Sequence, residues 1–356
     1  MKKRFLNLFI FGLCTICIGF CQTKNGPDST QFDSELTLIS QYLDSAEWKP
    51  AKRALKRYLK QNPESVSGLK LQARYYDLIQ EPEMALKTWN TIRNLIPEDY
   101  ESLKYSAILW YKLGDFKRSF NGIDSACKIS ENEHIKDPDV FYYRALLNRK
   151  KNNLNNILLD CEMAEDMDST YIPSHLLKAE IRFERQQYEL SVKEYDIALQ
   201  LMSLSDTDFS VLKNRAKALF ENGQVIRAAL DWTIYLRKYP DQEEALISRA
   251  SALIRGGRFK EAIVDLDDAL KKNPKNSVIY DYRGTAKAEM GLFKEGLQDL
   301  DHAIQLKFNY APHYVNRAAI KLALKQSNEA CEDLEKAEQL GSNVAYKYIQ
   351  RYCRKN

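Results

Sequence analysis

The chain has 356 residues, of which 44% are hydrophobic and 29% charged, and its formal net charge is +4. Three of its 53 lysines and arginines, Lys2, Lys3 and Arg4, lie in an N-terminal segment without acids, and the remaining 50 face 49 acidic residues. So even a balance excludes the clustered basic excess that nucleic acid requires of a main partner.

The first predicted element is a leader over residues 1–21. Three cations precede the apolar run Phe5 to Phe20, in which Asn7 is the one strongly polar member, and a polar stretch begins at Gln22. This is the three-part form of a secretory signal, and its apolar core is shorter than the roughly twenty residues of a membrane span. Ile18-Gly19-Phe20-Cys21 resembles a bacterial lipobox, departing from it at Phe20, where a small residue is usual. That resemblance implies a diacylglycerol on Cys21, an exported protein, and a place in the periplasm or at the outer membrane of a bacterium. Cleavage after Cys21 without lipid and an uncleaved anchor are the competing readings. Residues 22–31, with Gly26, Pro27, Asp28 and Ser29, form a flexible linker.

From Phe32 to Val344 a pattern of about thirty-four residues recurs nine times, with units starting at Phe32, Val66, Tyr100, Pro138, Ile172, Phe209, Glu243, Ser277 and Ala311. His134–Asp137 and Asp206–Asp208 are insertions. Position eight is small in every unit after the first: Ala73, Ala107, Ala145, Ala179, Ala216, Ala250, Gly284 and Ala318. Position twenty is nearly as uniform, with Ile157 as the bulky exception. Gly114, Asn152, Gly223, Gly257 and Gly291 mark a turn in mid-unit, where a left-handed residue ends one helix. Each unit is therefore predicted as two short helices, A and B. Pro63, Pro97, Pro240 and Pro274 close units, because proline cannot continue the preceding helix. Residues 345–356 read as a capping helix, which an array needs to cover its last apolar side.

The unit length, these small residues, the bulky residue at position seventeen (Trp48, Phe116, Tyr188, Phe259, Phe293) and the closing proline resemble the tetratricopeptide repeat. The resemblance implies an all-α solenoid of about nine helix-turn-helix units, wound as a right-handed superhelix whose groove is lined by the A helices. It places positions two, five, nine, twelve and thirteen on that groove. Lys70, Arg74, Lys104, Lys112, Arg149 and Lys150, with Tyr111 and Tyr142 and against Asp77, Glu101 and Asp139, then give a basic, aromatic end. Ile247, Ile254, Val315 and Leu322, with Val278, Ala288 and Ala319, give an apolar end. An extended peptide, acidic at one terminus and apolar at the other, would suit both. The alternative is that the lysines solubilise and the apolar stripe packs against the capping helix. Lys213 and Lys217 lack the asparagines with which some members of the family grip a C-terminal carboxylate.

Comparing the units with one another exposes a pairing. Position seven is basic and position twenty-three acidic in the same six units: Arg144 with Asp160, Lys178 with Glu194, Arg215 with Asp231, Arg249 with Asp265, Arg283 with Asp299, and Arg317 with Asp333. Charges that come and go together at fixed spacing form clasps between helix A and helix B, or else line a ligand site.

The search for chemistry finds four dispersed histidines (His134, His175, His302, His313), no nucleophile motif and no glycine-rich phosphate loop. The expectation is a chain without catalytic residues, metal or cofactor. Beyond the leader lie Cys127, Cys161, Cys331 and Cys353. A bridge from Cys331 to Cys353 and four inert thiols are the open readings, and Cys14 with Cys17 has no redox meaning inside a leader core. Two functions follow: a membrane-tethered adaptor that binds a protein in its groove, or a periplasmic holdase for unfolded envelope clients.

Overall fold

A computed structural model describes residues 29–202 and 208–354, with side chains from Ser34 onward. The predicted leader 1–21, its Cys21, linker residues 22–28, and Asp206 and Thr207 of the second insertion lie outside the described residues. Among those described there are nineteen helices and no strand. They are α1 (Ser29–Asp44) with α2 (Trp48–Gln61), α3 (Val66–Leu78) with α4 (Pro82–Leu95), α5 (Tyr100–Lys112) with α6 (Phe116–Glu133), and α7 (Pro138–Lys150) with α8 (Leu154–Met167). Next come α9 (Ile172–Glu184) with α10 (Tyr188–Leu201), α11 (Phe209–Glu221) with α12 (Val225–Lys238), and α13 (Glu243–Arg255) with α14 (Phe259–Lys272). The array ends in α15 (Ser277–Glu289) with α16 (Phe293–Leu306), α17 (Ala311–Ala323) with α18 (Ser327–Gln339), and α19 (Asn343–Tyr352). This is an all-α solenoid of helical hairpins. No described helix is long and apolar enough to cross a membrane. The chain forms two compact units, one ending at Ile129 and the other starting at Ser130, within α6.

The two helices of a hairpin start by different means. Several A helices are capped by a side chain: Ser65 accepts from the Gly68 amide, Asp99 from Ser102, Asp208 from Ser210 and Asn276 from Val278. These caps satisfy amides that a helix start leaves open. B helices follow instead from a tight turn, in which position fifteen has positive φ in all nine units. It is Gly114, Gly223, Gly257 or Gly291 in four of them, and Ala46, Gln80, Asn152, Gln186 or Lys325 in the rest. At the seventh hairpin the Gly257 amide donates to Ile254 O (3.0 Å) and the Arg258 amide to Leu253 O (2.8 Å), the two bonds of a Schellman closure. Helix α6 runs on to Glu133, and the first insertion begins just after it at a left-handed His134.

Small residues let the hairpins close. A Cβ added to Gly284 would stand 2.8 Å from Gly296 O, and one added to Gly296 would stand 2.8 Å from Gly284 O, so positions eight and twenty meet backbone to backbone. Ile157, the bulky exception, is fully buried beside Ala145 and Cys161, a burial that contributes about 1.5–3 kcal/mol. Trp89 stacks on Tyr105 across the second and third hairpins (5.3 Å between centroids). In the second compact unit, Trp232, Leu219, Leu266 and Ile279 share one continuous core. At the C-terminus α19 buries Ala345 and Ile349 and is joined to α18 by a disulfide between Cys331 and Cys353. The α18–α19 junction has the mid-hairpin form, with Gly341 at positive φ. Cys127 and Cys161 are buried thiols, and burial pushes the Cys161 thiol well above its ordinary pKa.

Candidate functional site

The six paired charges all touch. Arg215, Arg249, Arg283 and Arg317 each hold the position-twenty-three carboxylate with Nε and Nη2, as in Arg249 Nε to Asp265 Oδ2 (2.8 Å) and Nη2 to Oδ1 (2.6 Å). Arg144 reaches Asp160 through Nε alone (2.7 Å), and Asn148 supplies the second donor. The bonds to Asp265, Asp299 and Asp333 outweigh burial and raise the pKa values of Arg249, Arg283 and Arg317, so the clasps remain charged. These groups face inward, which makes them struts and not a ligand site.

A third arm was not legible in the pairing. Nη1 of the same arginines reaches back to position twenty-five of the preceding hairpin: Arg215 to Asp196, Arg283 to Asp267 and Arg317 to Asp301, each at 2.7 Å. Arg249 finds Thr233 Oγ1 there instead, at 3.3 Å. The acids at position twenty-five were the available signal. Each such arginine thus joins helix A, its own helix B and the previous helix B.

Lys178 replaces arginine in the fifth hairpin and heads a buried cluster. Its Nζ lies 2.8 Å from Glu165 Oε2 and 3.1 Å from Glu194 Oε1, while His175 Nδ1 lies 2.9 Å from Glu194 Oε2. Ligand atoms of Glu165, His175 and Glu194 fall within 4.8 Å of one another, as a metal site would need. Here the Lys178 ammonium sits between the carboxylates and supplies the cation. Burial opposes that charge, and the two glutamates overcome it and raise the Lys178 pKa.

The groove residues divide between the compact units. In the first, Lys70 bonds Asp99 (2.8 Å) and Glu101 (3.3 Å), Arg74 bonds Asp44 (2.7 Å), and Lys112 lies 3.8 Å from Asp77. Lys104 is buried, its Nζ over the Tyr105 ring, and Tyr111 packs edge-on against Phe116. In the second, Arg149 bridges to Glu180 and Glu184, Lys150 is exposed, and Tyr142 meets Tyr171, whose hydroxyl donates to Asp139. Lys213 and Lys217 both hold Glu244. The expected basic end is therefore largely answered from within: these charges brace consecutive A helices, and an acidic ligand would have to displace the chain's own carboxylates.

The apolar set is claimed from within only in part. Ile247 and Ile254 of α13 pack one side against the central core, Val315 and Leu322 of α17 against the C-terminal core, and all four stay half-buried. Val278 and Ala288 of α15 are likewise half-buried, and Ala319 is exposed. Three consecutive A helices thus present small and aliphatic side chains, surfaces that bind by area and shape.

A tetratricopeptide repeat model matches residues 213–277. DnaJ homolog subfamily C member 7 of Homo sapiens is 28% identical over 90 residues, 25% of this chain. The match spans only 18% of that relative's length, as it does in the Mus musculus counterpart. Among solved structures, pilF of Pseudomonas aeruginosa aligns with TM-score 0.55 and 16% identity over 61% of this chain and 96% of that one. PilW, a widely conserved type IV pilus biogenesis factor, aligns with TM-score 0.53 and 13% identity over 61% and 97%. At such identity the likeness is one of fold. Together with the match at 213–277, it supports tetratricopeptide repeats within this all-α solenoid.

Proposed function

We propose that this chain is a non-enzymatic adaptor held at a bacterial envelope membrane through lipid on Cys21, and that it binds a protein partner along the A helices of its second compact unit. One observation carries the reading: Ile247 and Ile254 of α13, Val278 and Ala288 of α15, and Val315 and Leu322 of α17 line three consecutive A helices and are only partly covered. The Cys331–Cys353 disulfide supports export, since such bonds persist in oxidising compartments. In the test, Ile254→Glu with Leu322→Glu abolishes recovery of a discrete crosslinked complex from whole cells while the helical circular dichroism is kept. Complex recovered undiminished from the folded variant refutes the adaptor site.

The same aliphatic face would also serve a holdase for unfolded envelope clients. A holdase suppresses aggregation of unrelated proteins, whereas the adaptor leaves their aggregation unchanged. Labelled palmitate entering the wild-type chain but not Cys21→Ala supports the tether, and label in both removes it.

A further inference from the structure

The C-terminal helix α19 presents a second, chemically different surface. Only Ala345 and Ile349 of α19 are buried, while Val344, Tyr346, Tyr348 and Tyr352 are 52, 51, 37 and 42% exposed. Val344, Tyr348 and Tyr352 recur every fourth residue and so form one stripe. Lys347 and Arg351 run beside it on the helix, Arg354 follows just past its end, and residues 343–354 contain no acid. Elsewhere the chain answers most of its groove cations with its own carboxylates, yet among the described residues none of these three forms an ion pair. The Arg351 guanidinium lies over the Tyr352 ring at 5.2 Å, and Arg354 reaches Gln350 at 3.4 Å.

The surface is also held rigid. Ser342 caps α19 by accepting from the Ala345 amide (3.2 Å), and the Cys331–Cys353 bridge pins its far end to α18. A preorganised patch of tyrosine and arginine is the composition that concentrates binding energy, because little side-chain freedom is lost on contact.

We propose that α19 is a docking surface for an acidic protein segment, and that it works only while the Cys331–Cys353 bridge is closed. Charge selects the occupant. A second copy of α19 would set three unanswered cations against three more, whereas an acidic amphipathic helix would neutralise them and lay its apolar side on Val344, Tyr348 and Tyr352.

The probe is a fluorescent synthetic helix with glutamates on one face and leucines on the other, titrated into the oxidised protein. Expected is saturable binding that weakens about tenfold in Lys347→Glu with Arg351→Glu and in Tyr348→Ala, and that falls as salt rises. Cys353→Ser, with unchanged circular dichroism, weakens it likewise, and a lysine-faced control helix does not bind. The proposal is overturned if the charge-reversed protein binds the acidic helix as well as wild type does. It is overturned equally if the helix fails to bind and anionic phosphatidylglycerol vesicles capture the wild-type protein alone, or if wild-type protein dimerises through α19. All these outcomes are independent of Ile254 and Leu322, so they separate this surface from the A-helix site.

Discussion

Ala46, Gln80, Gln186 and Lys325 hold the left-handed turn that glycine holds in four other hairpins. A side chain with Cβ pays about 1–2 kcal/mol for that backbone, part of which glycine's greater freedom when unfolded takes back. Gln80→Gly and Lys325→Gly are each expected to stabilise by up to about 1 kcal/mol, read as a higher urea midpoint, and a lower midpoint would contradict the account of the turn. Lys178 gives a pH signature. Its folded pKa lies above the ordinary 10.5, so its stabilising contribution is complete below about pH 10.5 and drains away as pH climbs through the folded value. Urea unfolding from pH about 7 to about 11.5 should show this alkaline loss in wild type and a flatter profile in Lys178→Met, which is weaker at neutral pH because half-buried Glu165 and buried Glu194 lose the Lys178 ammonium.

Between elements, the arginine clasps do most to fix geometry. Arg249→Leu strands a buried Asp265 and should cost about 3 kcal/mol, whereas an unchanged melting temperature would mean the clasp is ornamental. Thr233→Asp would give Arg249 the carboxylate that its neighbours already hold at position twenty-five, and it should raise the cooperativity of unfolding between the sixth and seventh hairpins. Urea transitions followed at Trp232 and at α14 would sharpen towards one another, and unaltered separate transitions would refute the coupling. Much of this level was legible from sequence. The α3, α5, α7, α9, α11, α13, α15 and α17 starts at Val66, Tyr100, Pro138, Ile172, Phe209, Glu243, Ser277 and Ala311 coincide with the repeat boundaries, because small residues and turn residues recur in fixed columns. Bonds that cross from one hairpin to the next did not show, since each column alone records only part of them. Lys104 is the instructive miss. Position five was expected on the groove, yet Lys104 and Asp281 are buried there, the latter receiving Asn316 from the next A helix, so adjacent A helices approach closely enough to cover it.

On the scale of the molecule, a chain of hairpins gains its stability from each hairpin and from contact with its neighbours, and its ends are the weakest points. The Cys331–Cys353 bridge closes a loop with a sequence separation of 22, and constraining such a loop is worth roughly 3 kcal/mol. Reduction should therefore speed amide exchange in α19 and the end of α18 while leaving α9–α14 protected, and uniform exchange before and after reduction would argue against a latch. The proposed docking face is the A-helix side of the second compact unit, and site-specific photocrosslinking in whole cells tests it most directly. A benzophenone side chain at Ile254 or Leu322 should yield the same discrete protein adduct, while one at Gln298, exposed on helix α16, should yield none. Equal adducts at all three positions, or adducts at Gln298 alone, would contradict the account.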